Sequence, residues 1–292
     1  MKGIAEKYPV KVVTGPDKKR DRGKKLRPSP VKEEALSLGL EVYTPDKVSE
    51  GEFLEIVRSN PPDIVVVVAF GEILKEEFIN LPKYGVINLH FSLLPKYRGA
   101  EPVRRAILNG EKKTGVTTMY INPLLDQGDI LLQREVDIRE DDDYGTLSKR
   151  LSIIGRDLLL KTLELIESGK AVRKPQRDGE SSYAKKFTKE ELKIPWERDA
   201  VYVRNLIRAL SPKPGAYTFF RGKRLKIFRG DIVEGLDILP GKIGKIEKDT
   251  LIVGCGNDAL SIKSLQLEGK KVMSIDEFIR GYKPDISENF TE

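Results

Sequence analysis

The chain has 292 residues, 39% of them hydrophobic and 33% charged, which is enough apolar material for about two domains with cores of their own. Its single cysteine, Cys255, rules out an internal disulfide and a cysteine-rich metal site, and no apolar run reaches the about eighteen residues needed to span a membrane. The net charge of +7 permits attraction to a polyanion without requiring it, and the single histidine, His90, confines imidazole chemistry to one position.

In chain order, residues 10–13 predict a short strand, followed by a polar stretch over 15–30. Ser29 is placed to cap a helix with Pro30 in its first turn and Gly39 beyond its end, and Val42 marks another strand. Residues 63–70 form a continuous, β-branched apolar run of the kind buried on both faces in a parallel sheet. A short helix over 75–80 leads to a strand at 86–91. A helix over 102–109 stops at Gly110, and strands follow at 116–121 and 130–133. A long amphipathic helix spans 144–168, with Leu147, Leu151, Ile154, Leu158 and Ile166 at helical spacing and Gly169 as its stop. This alternation predicts an α/β domain over 1–182.

Residues 174–198 are polar and irregular, with Pro175, Pro195 and Trp196, and read as a chain segment lying on the surface, with 183–198 as the interdomain linker. Asp199 caps a helix over 200–210. Beyond Pro214, short strands at 216–220, 224–228, 242–247, 251–253 and 260–267 alternate with glycine turns, which predicts a small OB-like β-barrel within a domain over 199–292. Ser274, with Glu277 three residues on, opens a last helix with a capping box. Residues 1–8 lack the apolar core of a secretory signal, and the scarcity of cysteine agrees with a reducing, cytoplasmic compartment.

The chemistry is concentrated at Asn88-Leu89-His90. Two residues apart on a strand, Asn88 and His90 point to the same side, at the carboxyl end where open α/β sheets bind ligands. An asparagine amide donates to a developing oxyanion, and a histidine exchanges a proton near neutral pH. Asn-x-His alone is a weak pattern, and a lone histidine serves as readily as a satisfied core residue. Leu124-Leu125-Asp126-Gln127-Gly128-Asp129 reads as a loop in which either Asp126 or Asp129 orients His90, or both simply make a turn.

In order, Asn88-x-His90, Ser92-Leu93-Leu94-Pro95-x-Tyr97-Arg98-Gly99 and Leu125-Asp126-x-Gly128-Asp129 resemble the signature of folate-dependent formyltransferases. The resemblance extends from about residue 10 to about residue 282. It includes Arg22-Gly23-Lys24-Lys25-Leu26, Tyr183-Ala184-x-Lys186, Pro212-x-Pro214-Gly215-Ala216-Tyr217 and Leu267-x-Gly269-Lys270-Lys271. It implies an α/β fold in which a Rossmann-like parallel-sheet formyltransferase domain is followed by the OB-like barrel. It places the catalytic trio on Asn88, His90 and Asp126. Ser92, Leu93, Leu94 and Pro95 fall on the folate-binding loop, and Phe70, Gly71, Ile73, Leu74, Leu124 and Leu125 on the lining of the pterin pocket. The implied cosubstrate is 10-formyltetrahydrofolate, with no metal and no membrane association, in a monomer. The match is closest to members whose acceptor is initiator methionyl-tRNA. Two other readings stay open: a family member acting on a sugar nucleotide or a purine precursor, and a tRNA-binding relative without catalysis.

Residues 18–27 hold seven basic side chains in ten. Such a run is either a solvated face or a phosphate-binding loop. The resemblance implies the second, with Arg20, Arg22, Lys24, Lys25 and Arg27 contacting tRNA. Lys213 and Lys223 belong to a further basic set, with Arg221, Arg224, Lys226 and Arg229, on the early strands of the barrel. In one respect the chain departs from the family. Members usually open with a strand and a short Gly-Thr-Pro loop, whereas residues 1–13 match the end of the first helix and the second strand. The chain as written is therefore expected to fold poorly or to have low activity, and an upstream extension of the reading frame to restore both.

Overall fold

The computed structural model describes residues 1–20 and 25–291. In chain order its elements are α1 (Lys2–Ala5), β1 (Lys11–Val13), β2 (Lys18–Arg20), β3 (Lys25–Arg27), α2 (Pro30–Ser37), β4 (Glu41–Tyr43), α3 (Gly51–Ser59), β5 (Val65–Val67), α4 (Glu76–Ile79), β6 (Val86–His90), α5 (Pro102–Leu108), β7 (Lys113–Tyr120), β8 (Ile130–Asp137) and α6 (Tyr144–Glu167). There follow α7 (Ala200–Leu210), β9 (Ala216–Phe220), β10 (Lys223–Val233), β11 (Ile243–Glu247), β12 (Thr250–Gly254), β13 (Ala259–Leu267), β14 (Met273–Ser274) and α8 (Ile275–Tyr282). They form two compact units: Met1–Arg98 with Val116–Arg134 and Ile153–Ser181, and Gly99–Gly115 with Glu135–Ser152 and Ser182–Glu292.

The helix starts follow their capping residues. Ser29 Oγ accepts from the backbone N–H of Lys32 at 3.0 Å, with Pro30 in the first turn of α2. Asp199 does the same for Tyr202 at α7, at 2.6 Å, and Ser274 and Glu277 complete the capping box of α8.

In the first unit β1 pairs parallel with β4, and β5 parallel with β6, while β6 and β7 run antiparallel. The sheet order is β5-β6-β7-β8, so the sheet is mixed rather than wholly parallel. Its two faces are covered by different helices. Phe53, Leu54 and Val57 of α3 and Phe78 and Ile79 of α4 form one cluster, against which Val13, Tyr43, Val65 and Val67 pack. Leu159, Leu163 and Ile166 of α6 form the other with Ile87, joined by Ile4, Tyr8, Ile64 and Val66.

The β1-β4 pair and the β5-β8 sheet therefore share the α3–α4 apolar layer, yet no strand ladder joins them among the described residues. This corrects the expectation for residues 63–70. The strand spans only Val65–Val67, and all three residues are half-buried, because β5 is paired along one edge alone. Val65 N donates to Gly85 O at 3.2 Å. The alternation of a parallel ladder then turns the Val66 N–H to the open edge. In hydrogen exchange, the Val66 amide is expected to exchange much faster than those of Val65 and Val67; protection equal to theirs would mean that another strand covers this edge.

Helix α3 was not expected from the sequence, although Phe53, Leu54 and Val57 give it an apolar face. In α6 the buried row is Leu147, Leu151, Gly155, Leu159 and Leu163, with Ile166, so that Ile154 and Leu158, assigned to the apolar face by spacing, lie at its margin. Gly155 allows this shift, since a Cβ there would stand 2.9 Å from a methyl group of Leu89 on β6.

The second unit holds a six-stranded antiparallel sheet, ordered β11-β12-β13-β10-β9 with β14 paired to β13, which is the expected small β domain. Trp196, which falls in the stretch expected on the surface, is 2% exposed. Its indole Nε1 donates to Thr218 Oγ1 and to Phe290 O, each at 3.1 Å, which draws the segment into the core of this unit. Cys255 is buried, and burial pushes its thiol up to about 12. Among the described residues no helix is long and apolar enough to cross a membrane.

Candidate active site

Strand β6 carries both residues singled out from the sequence. Asn88 pairs in register with Val67 on one side and Met119 on the other, which fixes the backbone from which its side chain projects. Its carboxamide is half-buried and has no hydrogen-bond partner among the described residues. His90 ends the strand, 6% exposed. Its Nε2 lies 2.9 Å from the carbonyl oxygen of Tyr97. A carbonyl only accepts, so Nε2 carries the hydrogen and donates it, leaving Nδ1 as the ring nitrogen with freedom to exchange a proton.

Asp126 Oδ2 lies 3.7 Å from that Nδ1, with Asp126 only 14% exposed at its side chain. The separation exceeds a hydrogen bond but is short for two opposite charges with little water between them. Spacing left Asp126 and Asp129 equal candidates; the carboxylate facing the imidazole is that of Asp126, while Asp129 closes the loop by accepting from Tyr120 N at 2.9 Å.

Both loops that flank His90 are held in sparsely populated backbone conformations. Tyr97 has φ 61° and Asp126 φ 50°. Such torsions persist only where surrounding contacts over-determine them, and they gather at functional sites. At Gly128 a Cβ would fall 1.7 Å from Tyr120 O, so only glycine fits there. Gln176 Nε2 donates to Asp126 O at 2.9 Å and to Gly128 O at 2.8 Å, and its Oε1 accepts from Arg98 Nε and Nη2 at 3.0 and 2.9 Å. Arg98 is 1% exposed and also reaches Asp178 Oδ1 at 3.0 Å. Neither Arg98 nor Gln176 was assigned a role from the sequence.

Profile matches decide the family. Residues 4–163 match the formyl transferase family, and residues 186–283 match the formyl transferase C-terminal domain. The chain belongs to the formyl transferase family. Among its relatives, the methionyl-tRNA formyltransferase of Caldanaerobacter subterraneus subsp. tengcongensis is 48% identical over 273 residues, covering 93% of this chain and 88% of the relative. The enzyme of the same name from Dictyoglomus thermophilum is 45% identical over 288 residues, covering 96% and 92%. Two solved structures share the fold. HypX from Aquifex aeolicus in complex with tetrahydrofolic acid has a TM-score of 0.65 and 19% identity, matching 94% of this chain but only 48% of its own. The sugar 3N-formyl transferase WlaRD, in the presence of dTDP and 5-N-formyl-THF, has a TM-score of 0.61 and 21% identity, matching 90% of this chain and all of its own.

In this formyl transferase the residues expected around the folate divide into two groups. Ser92 and Leu94 are buried, and their loop is braced from within: Ser92 Oγ donates to Lys96 O at 2.6 Å, Thr117 Oγ1 to Ser92 O at 2.6 Å, and Gln133 Nε2 to Leu94 O at 2.8 Å. Leu93 and Pro95 of the same loop stay half-exposed, as does Phe70, while Leu74 is buried. Ile73, Leu124 and Leu125 are 78%, 59% and 54% exposed, apolar side chains on loops after β5 and β7 without an apolar cover. An open cleft of about 620 Å³ is lined by Gly71 and Ile73, but also by Lys47, Glu50, Glu72 and Lys75; it does not include Asn88, His90 or Asp126.

The basic residues are likewise distributed. Strands β2 and β3 pair as an antiparallel ribbon, Lys18 opposite Arg27 and Arg20 opposite Lys25. Arg22 and Lys24 lie outside the described residues. In the second unit Lys213 and Lys223 are exposed and make no ion pair among the described residues, whereas Arg221 is bound to Glu288 and Lys226 Nζ donates to Pro214 O.

Proposed function

We propose that the chain transfers the formyl group of 10-formyltetrahydrofolate to the α-amino group of initiator methionyl-tRNA, in the cytoplasm. Identity of 48% over nearly the whole chain to a methionyl-tRNA formyltransferase carries this reading. The local geometry supports it at the level of chemistry. The Asn88 carboxamide, without a hydrogen-bond partner among the described residues, is a donor for the oxygen that gains charge as the amine adds to the formyl carbon. The exposed apolar side chains of Ile73, Leu124 and Leu125 suit a flat pterin ring.

Proton handling follows from the tautomer. An α-amino group has a pKa of about 7.7–8.0, so a useful fraction is neutral at cellular pH without a strong base. As the new C–N bond forms, the nitrogen sheds a proton. His90 Nδ1 takes it, directly or through water, while Nε2 stays donated to Tyr97, and gives it up to N10 of the folate as the oxyanion collapses to the amide and the formyl C–N10 bond breaks, releasing tetrahydrofolate. The Asp126 carboxylate at 3.7 Å then stabilises the imidazolium.

The tRNA reading draws on the ribbon. Cations on paired cross-strand positions, as at Lys18 and Arg27, disfavour the ribbon in isolation and favour it when phosphate lies between them. Arg20, Arg22, Lys24, Lys25 and Arg27 are assigned to phosphate contacts, with Lys213 and Lys223 as a second set. Replacing Arg22, Lys24 and Lys25 by glutamine is expected to weaken tRNA binding and to reduce the slope of log affinity against log salt by about 2–3, with folate affinity unchanged. An unaltered salt slope would assign the run to a solvated face.

A further inference from the structure

The contacts around His90 close into a ring. His90 donates through Nε2 to Tyr97 O at 2.9 Å. The next residue, Arg98, places its guanidinium on Gln176 Oε1 at 3.0 and 2.9 Å. Gln176 Nε2 donates at 2.9 and 2.8 Å to the carbonyls of Asp126 and Gly128. The Asp126 carboxylate returns to His90 Nδ1 at 3.7 Å. The ring joins the end of β6 at residue 90 to three loop segments, 97–98, 126–128 and 176.

Gln176 is the only member that meets both kinds of partner at once. A guanidinium only donates and the two carbonyls only accept, so the carboxamide orientation is fixed, with oxygen to Arg98 and NH₂ to the Asp126 loop. A carboxylate of the same shape satisfies Arg98 but sets oxygen against two carbonyl oxygens. An apolar side chain leaves all four bonds unmade, in a place where Arg98 has no access to water. Asp126 sits at φ 50°, which Asp tolerates better than most non-glycine residues, and the two bonds from Gln176 hold the carbonyls of the loop that carries it.

We propose that Gln176 is a positioning residue for formyl transfer: held by Arg98, it clamps the Asp126–Gly128 loop so that the carboxylate of Asp126 faces Nδ1 of His90. The inference rests on the formyl-transfer reading for its kinetic consequence, but not for its structural one.

Gln176→Glu tests it. Misplacement of a catalytic group by about an ångström costs up to about 10²-fold, so kcat is expected to fall about 10–100-fold while KM for 10-formyltetrahydrofolate stays within about threefold. His90 is the only histidine in the sequence, so a chain labelled with ¹⁵N-histidine gives one imidazole. Its Nδ1 resonance is expected to move in the variant while the Nε2–H signal persists. That reading needs no turnover, so failure of the clamp and failure of the formyl-transfer reading are separable. Gln176→Met is the second variant, with the same expectation should Gln176→Glu not fold. A folded variant with unchanged kcat and an unmoved Nδ1 signal would overturn the proposal. Loss of the fold in both variants would overturn it too, by making Gln176 a structural residue.

Discussion

Replacing His90 with alanine is expected to lower kcat for formyl transfer by about 10²–10⁴-fold, with folate affinity changed little. Two features of the site make this large. The imidazole is the only one in the chain, so no neighbouring histidine can substitute for it. Its Nδ1 is also the ring nitrogen that faces Asp126, whereas Nε2 is committed to Tyr97. Part of the change will be structural. The Tyr97 carbonyl loses its buried donor, which costs about 1–3 kcal/mol of stability. Rates are therefore to be compared at a temperature where circular dichroism shows both proteins folded; a variant that is folded and retains full kcat would remove His90 from the chemistry.

The second large effect is at Asn88. Its carboxamide makes no hydrogen bond to the described residues, so Asn88→Ala removes none of their bonds and should leave the melting temperature almost unchanged. The expected loss in kcat is about 10²–10³-fold, the usual cost of one donor to a developing oxyanion. Asn88→Asp is the sharper substitution. It keeps the shape but turns a donor into an anion aimed at the oxygen that becomes negative, and kcat should fall at least as far as with alanine. An Asn88→Asp protein with near-normal kcat, measured at saturating folate and tRNA, would show that the carboxamide is not the donor.

The legible parts of the molecule were those set by local chemistry. Caps at Ser29, Asp199 and Ser274 announced three helices, and each side chain makes its bond. The placement of Asn88 and His90 on one strand followed from a period of two. What escaped were features settled by distant partners. The β-branched run at 63–70 promised a strand but said nothing of whether both its edges would be paired, and the structure leaves one open. Trp196 sits in a stretch rich in charge and proline, and only Thr218 and Phe290 reveal why it is buried. Spacing alone did not separate Asp126 from Asp129, because a turn uses either, and only the resemblance picked Asp126; in the structure Asp126 is the one whose carboxylate lies 3.7 Å from Nδ1. Gln176 gave no signal, since its role lies in four hydrogen bonds to residues 48 to 78 positions away.

The measurement that bears most directly on the account is single-turnover formyl transfer from 10-formyltetrahydrofolate to methionyl-tRNA, by the chain itself and by His90→Ala, Asp126→Ala and the double variant. If the imidazole and the carboxylate handle one proton between them, formylmethionyl-tRNA forms, each single change slows it, and the double variant is no slower than the slower single one. Transfer at an undiminished rate without His90, or losses that multiply in the double variant, would contradict the account.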